Sequence, residues 1–340
     1  MTQKRATIYE VAALAGVSHQ TVSRYLRNNG GLKPATVTKV QTAIDELNYR
    51  PNLIARSMRT RRTGRIAILL PAATTSLPLR LMSAAAASAH AAGYAIDILG
   101  LEGPGLDRVA RARELADSGE FEGILALASL VGQPLSSSTT SIVIVSDYDD
   151  ELRGLGALAD GAACGEVVQR LVDLGHTHFL HLAGPQDYAS ARNRRKTFLD
   201  TTDQLGVSGT VVNGDWLGQS GYDAVMALPV DTPITAVVAG NDLVAMGAIR
   251  AALRRGWTIP NDLSVFGWDD YELCRFTTPS LSTVAIDRER QGREAMDRLI
   301  ALIRGTEPPA PDTRSLHTVI PRESIGPAPV TRKRLRAAVP

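Results

Sequence analysis

The sequence predicts a small all-α domain followed by a larger, two-lobed α/β domain built on parallel sheets. Three observations indicate this division. The chain has 340 residues, more than one compact core usually needs. Residues 1–50 form short amphipathic helical patterns with capping residues, whereas short apolar runs alternate with longer helical patterns from Ile66 onward. The basic charge is concentrated at the N-terminal end.

Charge is distributed unevenly along the chain. Residues 1–65 contain 12 Lys and Arg against three acidic residues, a net charge of +9, whereas the whole chain carries +2 and the remainder therefore −7. A basic end on an acidic body is typical of a domain that binds a polyanion. A solubilising basic arm is the alternative that charge leaves open.

Composition argues against membrane, disulfide and metal classes. No apolar run approaches the roughly 20 residues of a membrane span, and the N-terminus leads into a helical pattern without the apolar region of a signal peptide. Cys164 and Cys274 lie far apart and lack the spacing of a disulfide scaffold or a zinc site. We therefore expect a cytoplasmic protein with no membrane partner, cofactor or metal.

Three short helices are predicted at the N-terminal end. Thr7 and Glu10 have the spacing of a capping box at the start of the first helix, which Gly16 ends. Apolar residues at helical spacing predict a second helix over residues 18–26 and a third from about 34 to 47. A short helix, a glycine turn and another short helix form a helix-turn-helix pattern.

The outward face of the second helix carries side chains that can read DNA. Gln pairs in a two-pronged manner with adenine and Arg with guanine in the major groove. The polar residues predicted to face the surface there are His19, Gln20, Ser23 and Arg24. Hydroxyls suited to phosphate contacts are those of Thr7, Ser18, Thr21, Thr36 and Tyr49. Taken by itself, this helix could equally be a plain polar surface.

The string TIYEVAALAGVSHQTVSRYLRN, followed by DELNYRPNLIARSMR, closely resembles the headpiece of the LacI family of repressors. In that family the segment after the third helix folds into a hinge helix on DNA and inserts an apolar side chain into the minor groove. Lys33 stands where the family often has a Ser cap, so the third helix is expected to begin less firmly. The resemblance implies that the hinge contacts DNA through Asn52, Ala55, Met58 and Arg59, with Met58 in place of the usual Leu.

From residue 66 the pattern predicts parallel strands covered by helices. Ligands of such sheets bind beyond the carboxyl ends of the strands, so polar residues just after strands are candidates. The predicted strands are 66–70, 94–99, 123–127, 142–145, 179–183, 235–239, 263–266 and 281–285. The predicted helices are 79–92, 106–118, 161–174, 191–205, 242–255 and 288–304.

Five polar or aromatic residues stand at or near such positions: Asp147, Arg192, Trp216, Asn241 and Asp269. Together they offer carboxylates, a guanidinium, an amide and an indole, the groups with which proteins hold a polyhydroxylated ring. Each of them could instead be a cap or turn residue, as Asn241 could be for the helix that follows it.

The segments RLVDLGHTHFLHLAGP, SARNRRKTF, GDWLGQSGYDAV, AVVAGNDLVAMGAIRAALRRGWTIPNDLSVFGWDD and LSTVAIDRERQGREAMDRLI resemble successive parts of the LacI-family effector domain. That domain is similar to periplasmic sugar-binding proteins, whose chain crosses between two lobes three times. The resemblance spans about residues 6 to 322. By position, it implies effector contacts from Arg192, Asn241 and Asp269.

The same resemblance bears on the effector. Trp216 matches an aromatic residue of a sugar-binding member of the family, which favours a sugar, with a galactoside as one candidate. Ser146 or Asp147 could occupy the family's carboxylate position, and Asp147 is the preferred candidate. Arg288 lies where that member has an aromatic residue, so the site is expected to differ from it.

These patterns imply four regions. We expect a helix-turn-helix DNA-binding headpiece in residues 1–50, a hinge helix and linker in 51–65, an effector-binding and dimerisation domain in 66–325, and a flexible tail in 326–340. Within the third region, one lobe should contain about 66–160 and 288–322, and the other about 161–287.

The function implied is that of a repressor, active as a homodimer on a pseudo-palindromic operator in double-stranded DNA and released by a sugar. Alternatives are a repressor of the same family with a purine corepressor and, less favoured, a sugar-binding receptor without DNA function. No nucleophile elbow, phosphate loop or metal-ligand spacing predicts catalytic residues or an enzyme. A metal site at His176, His178 and His181 is a minor alternative.

Overall fold

The computed structural model describes residues 6–26, 31–49, 62–72, 78–103, 105–127, 130, 140–149 and 151–330. The chain divides into two compact units, Met1–Gly64 and Arg65–Pro340. The predicted hinge contacts and part of the predicted tail lie outside the described residues: Asn52, Ala55, Met58, Arg59 and residues 331–340.

The first unit contains three helices, close to the bounds that the sequence predicts. The predicted capping box is present, because the Thr7 backbone N–H donates to Glu10 Oε2 at 2.6 Å and the Glu10 N–H donates to Thr7 Oγ1 at 3.3 Å. Lys33 gives the third helix no side-chain cap, as its departure from the family pattern led us to expect. The helices are α1 (Ile8–Ala15), α2 (His19–Leu26) and α3 (Pro34–Glu46).

The second unit begins with a four-stranded parallel sheet of order β2-β1-β3-β4. Its central strand β1 is buried over six of its seven residues, because a neighbouring strand lies on each side and helices cover the sheet. The strands are β1 (Arg65–Pro71), β2 (Ala95–Leu101), β3 (Gly123–Ala126) and β4 (Ser141–Ile144), joined by α4 (Leu79–Ala91) and α5 (Gly105–Asp117).

A second four-stranded parallel sheet follows, of order β6-β5-β7-β8. The inner strands β5 and β7 are almost wholly buried, whereas the edge strand β6 is largely exposed. The strands are β5 (His178–Ala183), β6 (Ser208–Asn213), β7 (Ala236–Ala239) and β8 (Ser264–Phe266). The helices are α6 (Ala162–Asp173), α7 (Ala189–Gln204), α8 (Gly218–Met226) and α9 (Asp242–Arg254).

The last elements connect the two sheets. An antiparallel pair, β9 (Thr283–Ile286) and β10 (His317–Ile320), is joined to the loop after β8 by the bridge between Asp269 and Ala285. Between its strands, helix α10 (Arg288–Arg304) packs against α4, β3 and β4 of the first sheet. The start of α10 therefore lies where the two sheets meet.

The predicted fold class is confirmed, but the sequence pattern does not predict three of the elements: β6, α8 and β10. Strands β6 and β10 are only partly buried, so they lack the apolar runs that mark the other strands. Among the described residues, no helix has the length and apolar character needed to cross a membrane.

Candidate functional site

The outward face of α2 carries three exposed polar side chains, those of His19, Gln20 and Arg24. Ser23 is only 7% exposed, so the prediction that it faces the surface is wrong. Helix α2 packs against both α1 and α3, and Ser23 is buried next to Val22, a residue of the headpiece core. The surface available to read bases is therefore narrower than the sequence predicts.

The predicted phosphate-contacting hydroxyls differ in their surroundings. Thr7 and Ser18 are exposed, and Ser18 Oγ lies 2.9 Å from Thr21 Oγ1 at the start of α2. Ser18 also accepts a hydrogen bond from the Thr21 backbone at 3.2 Å, which makes it the predicted helix cap. Thr36 and Tyr49 are half-buried, and burial raises the pKa of the Tyr49 phenol.

In the second unit, Trp216 lies against the carboxyl ends of β5 and β7. Gly184 and Gly240 follow those strands directly, and a Cβ atom added to them would lie 2.2 and 2.8 Å from the indole ring. Only glycine leaves room for the ring at these positions. The half-buried indole also meets the Tyr188 ring edge-on at 5.7 Å. The sheet therefore seats an aromatic plate at the edge where ligands of parallel sheets bind.

Asn241 acts both as a helix cap and as a support for this tryptophan. Its Oδ1 accepts a hydrogen bond from the Val244 backbone at 2.8 Å, and its Nδ2 donates to the Trp216 carbonyl at 2.9 Å. The capping role that the sequence left open is therefore present. It also helps to hold Trp216 at a φ of 69°, a conformation that non-glycine residues rarely adopt.

The structure does not bring Arg192 to this group. Arg192 is exposed, and its Nη1 donates 2.8 Å hydrogen bonds to the backbone carbonyls of Gln186 and Asp187 in the loop before α7. Two positions along a helix correspond to a rotation of roughly 200°, so Arg192 and Arg194 lie on nearly opposite sides of α7. The guanidinium on the inner side is that of Arg194.

Arg194 is only 5% exposed and lies among the other candidate groups. Its Nη1 donates to the Gly240 carbonyl at 2.6 Å, and its guanidinium lies 4.0 Å from the Trp268 ring centroid and 5.8 Å from that of Trp216. Burial lowers its pKa to about 10, against the opposing effect of Asp269, so it stays charged at neutral pH. Its Nε has no hydrogen-bond partner among the described residues.

Asp269 follows β8 in a strained loop. Its φ is 112° and that of Asp270 is 50°, both unusual for non-glycine residues. Asp269 Oδ1 lies 3.5 Å from Arg288 Nη2. Burial raises the pKa of the Asp269 carboxyl, while Arg194 and Arg288 act in the opposite direction. The carboxylate therefore lies between two guanidinium groups.

Asp147 follows β4 and is half-buried, whereas Ser146 beside it is exposed. Asp147 Oδ2 accepts a 2.8 Å hydrogen bond from Gln291 Nε2 on α10. The next residue, Tyr148, is buried. Burial raises the pKa of its phenol, and the nearby Arg288 opposes part of this rise. Because Arg288 contacts Asp269, the structure links Asp147 to the other candidates through the first turn of α10.

A buried carboxylate, Asp242, anchors the Asp269 loop from beneath. Its Oδ1 accepts from Thr283 Oγ1 at 2.6 Å, and its Oδ2 accepts from the Tyr271 backbone at 2.9 Å. Burial raises the pKa of Asp242 to about 6, although these hydrogen bonds oppose the shift. Asp242 therefore acts on the site through the loop that carries Asp269.

The three histidines considered as metal ligands have separate surroundings. His176 Nδ1 lies 2.8 Å from Thr235 Oγ1, and the His181 ring stacks on Phe198 at 5.0 Å. Burial lowers the pKa of His181 to about 4. In the part of the chain that the structure describes, no group of three or more His, Cys, Asp or Glu has the arrangement of a metal site.

Comparison with known proteins places this geometry in a family. Residues 7–52 match the model for bacterial regulatory proteins of the lacI family, and residues 168–325 match that of a periplasmic binding protein-like domain. The ribose operon repressor of Escherichia coli (strain K12) is 31% identical over 306 residues, covering 87% of this chain and 92% of that protein. The chain belongs to the LacI family.

Two further comparisons support this membership. The HTH-type transcriptional repressor PurR of Photobacterium profundum is 28% identical over 313 residues, covering 88% of this LacI-family chain and 92% of that protein. A crystal structure of the lac repressor dimer bound to operator and the anti-inducer ONPF matches with a TM-score of 0.66 at 26% identity, covering 95% of this chain and 100% of that one. They confirm the predicted order of a helix-turn-helix domain and an α/β domain with parallel sheets.

Proposed function

We propose that this LacI-family chain is a sequence-specific DNA-binding repressor whose operator affinity is controlled by a sugar acting as inducer. The observation that carries the proposal is the combination of two surfaces in one chain. One is the exposed polar face of α2 in a helix-turn-helix unit. The other is the group of indole, guanidinium and carboxylates at the carboxyl ends of parallel strands.

In the headpiece, Gln20 and Arg24 are the side chains proposed to contact base edges, with His19 beside them. A polyanion is the natural partner of a segment whose net charge is +9 over residues 1–65. One short helix reads only a few base pairs, so we propose a homodimer that places two such helices in successive major grooves. Its operator in double-stranded DNA would then be pseudo-palindromic.

A sugar ring bound at the proposed effector cleft, which consists of Trp216, Arg194, Asp269 and Asp147, would place its apolar face on Trp216. Arg194 would donate to its hydroxyls, and Asp269 and Asp147 would accept from them. Arg194 replaces Arg192 in this proposal because its guanidinium lies 5.8 Å from the Trp216 centroid. The names of two similar proteins, a ribose operon repressor and a lac repressor, support a sugar, with a galactoside as one form of it. Similarity to PurR supports the alternative, a purine corepressor.

Control of DNA binding would follow from a population shift. A sugar that binds one lobe arrangement more tightly moves the protein toward that arrangement and away from the operator-binding form. By linkage, the operator must weaken the sugar by the same factor. A receptor of this kind has no need of catalysis, and its similarity to repressors supports a non-enzymatic role in the cytoplasm, where the DNA lies.

The test uses fluorescence anisotropy on a labelled DNA duplex selected from a random library by the full-length protein. D-ribose, D-galactose, lactose, hypoxanthine and guanine are then titrated into the complex. Release of the DNA by a sugar is the expected result. Tighter binding in the presence of a purine would instead establish a corepressor. Failure to select any sequence at moderate salt would contradict the proposal, since only non-specific electrostatic binding would remain.

A further inference from the structure

We propose that Gln291 and Arg288, one turn apart on α10, are positioning residues of the effector site. Gln291 fixes the Asp147 carboxylate and Arg288 fixes that of Asp269. Asp147 follows β4 of the first sheet and Asp269 follows β8 of the second, so a single helical turn holds one carboxylate from each sheet. This inference rests on the proposed function of the cleft.

One hydrogen bond and one close backbone approach define the surroundings of the Asp147 carboxylate. Gln291 is 7% exposed, and its Nε2 donates to Asp147 Oδ2 at 2.8 Å. On the other side, a Cβ atom added to Gly156 would lie 2.9 Å from Asp147 Oδ1, and Gly156 has a φ of 50°. A side chain at residue 156 would therefore displace the carboxylate from the position in which Gln291 holds it. Asp147 itself is half-buried, so part of it can still accept hydrogen bonds from a ligand.

Arg288 lies close to Asp269 and to Tyr148, the residue that follows Asp147. Its Nη2 lies 3.5 Å from Asp269 Oδ1, a contact too long to saturate that oxygen. Tyr148, beside Asp147, is 4% exposed, and its hydroxyl lies 3.4 Å from Gln291 Oε1. Arg288 also lies close enough to Tyr148 to oppose the rise in pKa that burial causes there. The guanidinium, phenol and amide thus form one polar layer under the cleft.

This polar layer costs folding stability, and a role in positioning the two carboxylates would explain why it is present. A buried amide and a half-buried guanidinium lose hydration, and an apolar side chain at residue 291 would avoid that cost. What the layer provides is orientation: both carboxylates are held before a ligand arrives, so binding does not have to restrict their rotation. Substitution of a residue in this layer should therefore reduce sugar affinity more than it reduces folding stability.

Two variants of Gln291 test the proposal by isothermal titration with D-ribose, D-galactose and lactose. Gln291→Leu keeps the volume and removes the donor, and we expect the dissociation constant of the bound sugar to rise about tenfold. Gln291→Glu places a second carboxylate against Asp147. It should bind weakly at pH 8 and approach the wild-type affinity near pH 5, because two adjacent carboxylates can then share a proton.

A matched control lies on the surface of α6. Gln169 Nε2 donates to Asp173 Oδ1 at 2.9 Å, the same kind of bond outside the cleft. Gln169→Leu should leave sugar affinity unchanged. Arg288→Met keeps the aliphatic stem of the side chain and should weaken sugar binding about tenfold. Operator affinity, measured on each variant without sugar, reports whether the protein remains folded.

The outcomes separate this inference from the proposed function. Wild-type sugar affinity in Gln291→Leu, or a Gln291→Glu affinity that follows pH no more than the wild type does, would overturn the positioning role and leave the sugar-controlled repressor intact. If none of the three sugars binds the wild-type protein, the proposed effector class fails, and the positioning role falls with it. If Gln291→Leu fails to bind operator, the pH dependence of sugar affinity in Gln291→Glu decides whether Gln291 positions Asp147.

Discussion

The headpiece and the effector cleft place their polar groups in opposite environments. In the described part of the headpiece the buried core contains nothing larger than valine, and the polar groups proposed to bind lie outside it. The second unit buries Trp268, Phe179 and Phe198 together with the Arg194 guanidinium, and the Asp269 and Asp147 carboxylates are half-buried. Exposed charges are screened by salt whereas buried ones are much less so. The two regions should therefore respond to different perturbations.

Salt should separate the two regions most strongly. The headpiece binds a polyanion through exposed cations, so the operator dissociation constant should rise about a thousandfold between 50 and 200 mM salt. The sugar dissociation constant should change by less than about twofold over the same range, because a sugar is uncharged and the charged groups proposed to contact it are buried or half-buried. Anisotropy for DNA and calorimetry for sugar measure the two values. If salt weakened operator and sugar binding by the same factor, the proposed difference between the two regions would be wrong.

Acidity should act on the second unit through Asp242. The folded state keeps this proton up to a pKa of about 6, whereas the unfolded chain releases it near the ordinary aspartate pKa of 3.8. Between these values the wild type therefore loses stability as pH rises, and the loss is complete above pH 6. Relative to Asp242→Asn, which cannot titrate, its unfolding free energy should fall by about 3 kcal/mol between pH 3 and pH 7.

Urea unfolding of both proteins at four pH values in that range measures this difference. A constant loss of hydrogen bonds in the variant shifts all points equally and does not alter the trend. A difference that stays flat with pH would show that the Asp242 carboxyl titrates normally in the folded protein.

The choice between two arginines on α7 should have the next largest effect. Arg194→Met removes a buried guanidinium beside Trp268 and should raise the sugar dissociation constant about a hundredfold. Arg192→Met removes an exposed guanidinium that donates to two backbone carbonyls, and sugar affinity should stay near wild type. Calorimetry on the two variants compares them directly. A larger loss in Arg192→Met would restore the assignment that the sequence favours.

The small headpiece core should be sensitive to the truncation of a single buried side chain. Val11 is fully buried, and Val11→Ala should destabilise the headpiece by about 2 kcal/mol. Leu14, on the same helix, is 50% exposed, so Leu14→Ala should cost less than about 0.5 kcal/mol. Amide hydrogen exchange across α1 to α3 measures both changes. Equal effects would mean that the packing described for this unit is not what stabilises it.

Much of the fold could be predicted because the relevant elements are either buried or capped. The parallel strands at the centre of each sheet are apolar runs, and the capping box at Thr7 fixes the start of α1. The edge strand β6 could not be found this way, since alternate residues face solvent and no run of apolar residues results. Its identity comes from pairing with β5, which is a long-range contact.

The site was less accessible to sequence reasoning. Trp216 and Asp269 lie together with Arg194 in the structure, but the sequence offers three closely spaced arginines in SARNRR, and helical geometry decides among them. An assignment that is two residues out along the helix exchanges an inner for an outer position. The assignment of Arg192 by position differs from Arg194 by these two residues. Gln291 had no signal of its own, because its contact with Asp147 joins residues 144 positions apart. The pattern misplaces Ser23 because a polar side chain in a short helix is expected to be exposed, whereas Ser23 is buried.

The reciprocal linkage between operator and sugar tests the central claim most directly. The operator dissociation constant is measured with and without a saturating concentration of whichever of D-ribose, D-galactose and lactose binds, and the dissociation constant of that sugar is measured with and without operator. We predict that both constants rise by the same factor, about tenfold or more. An operator affinity that does not change at saturating sugar would contradict the account, because the two surfaces would then act independently.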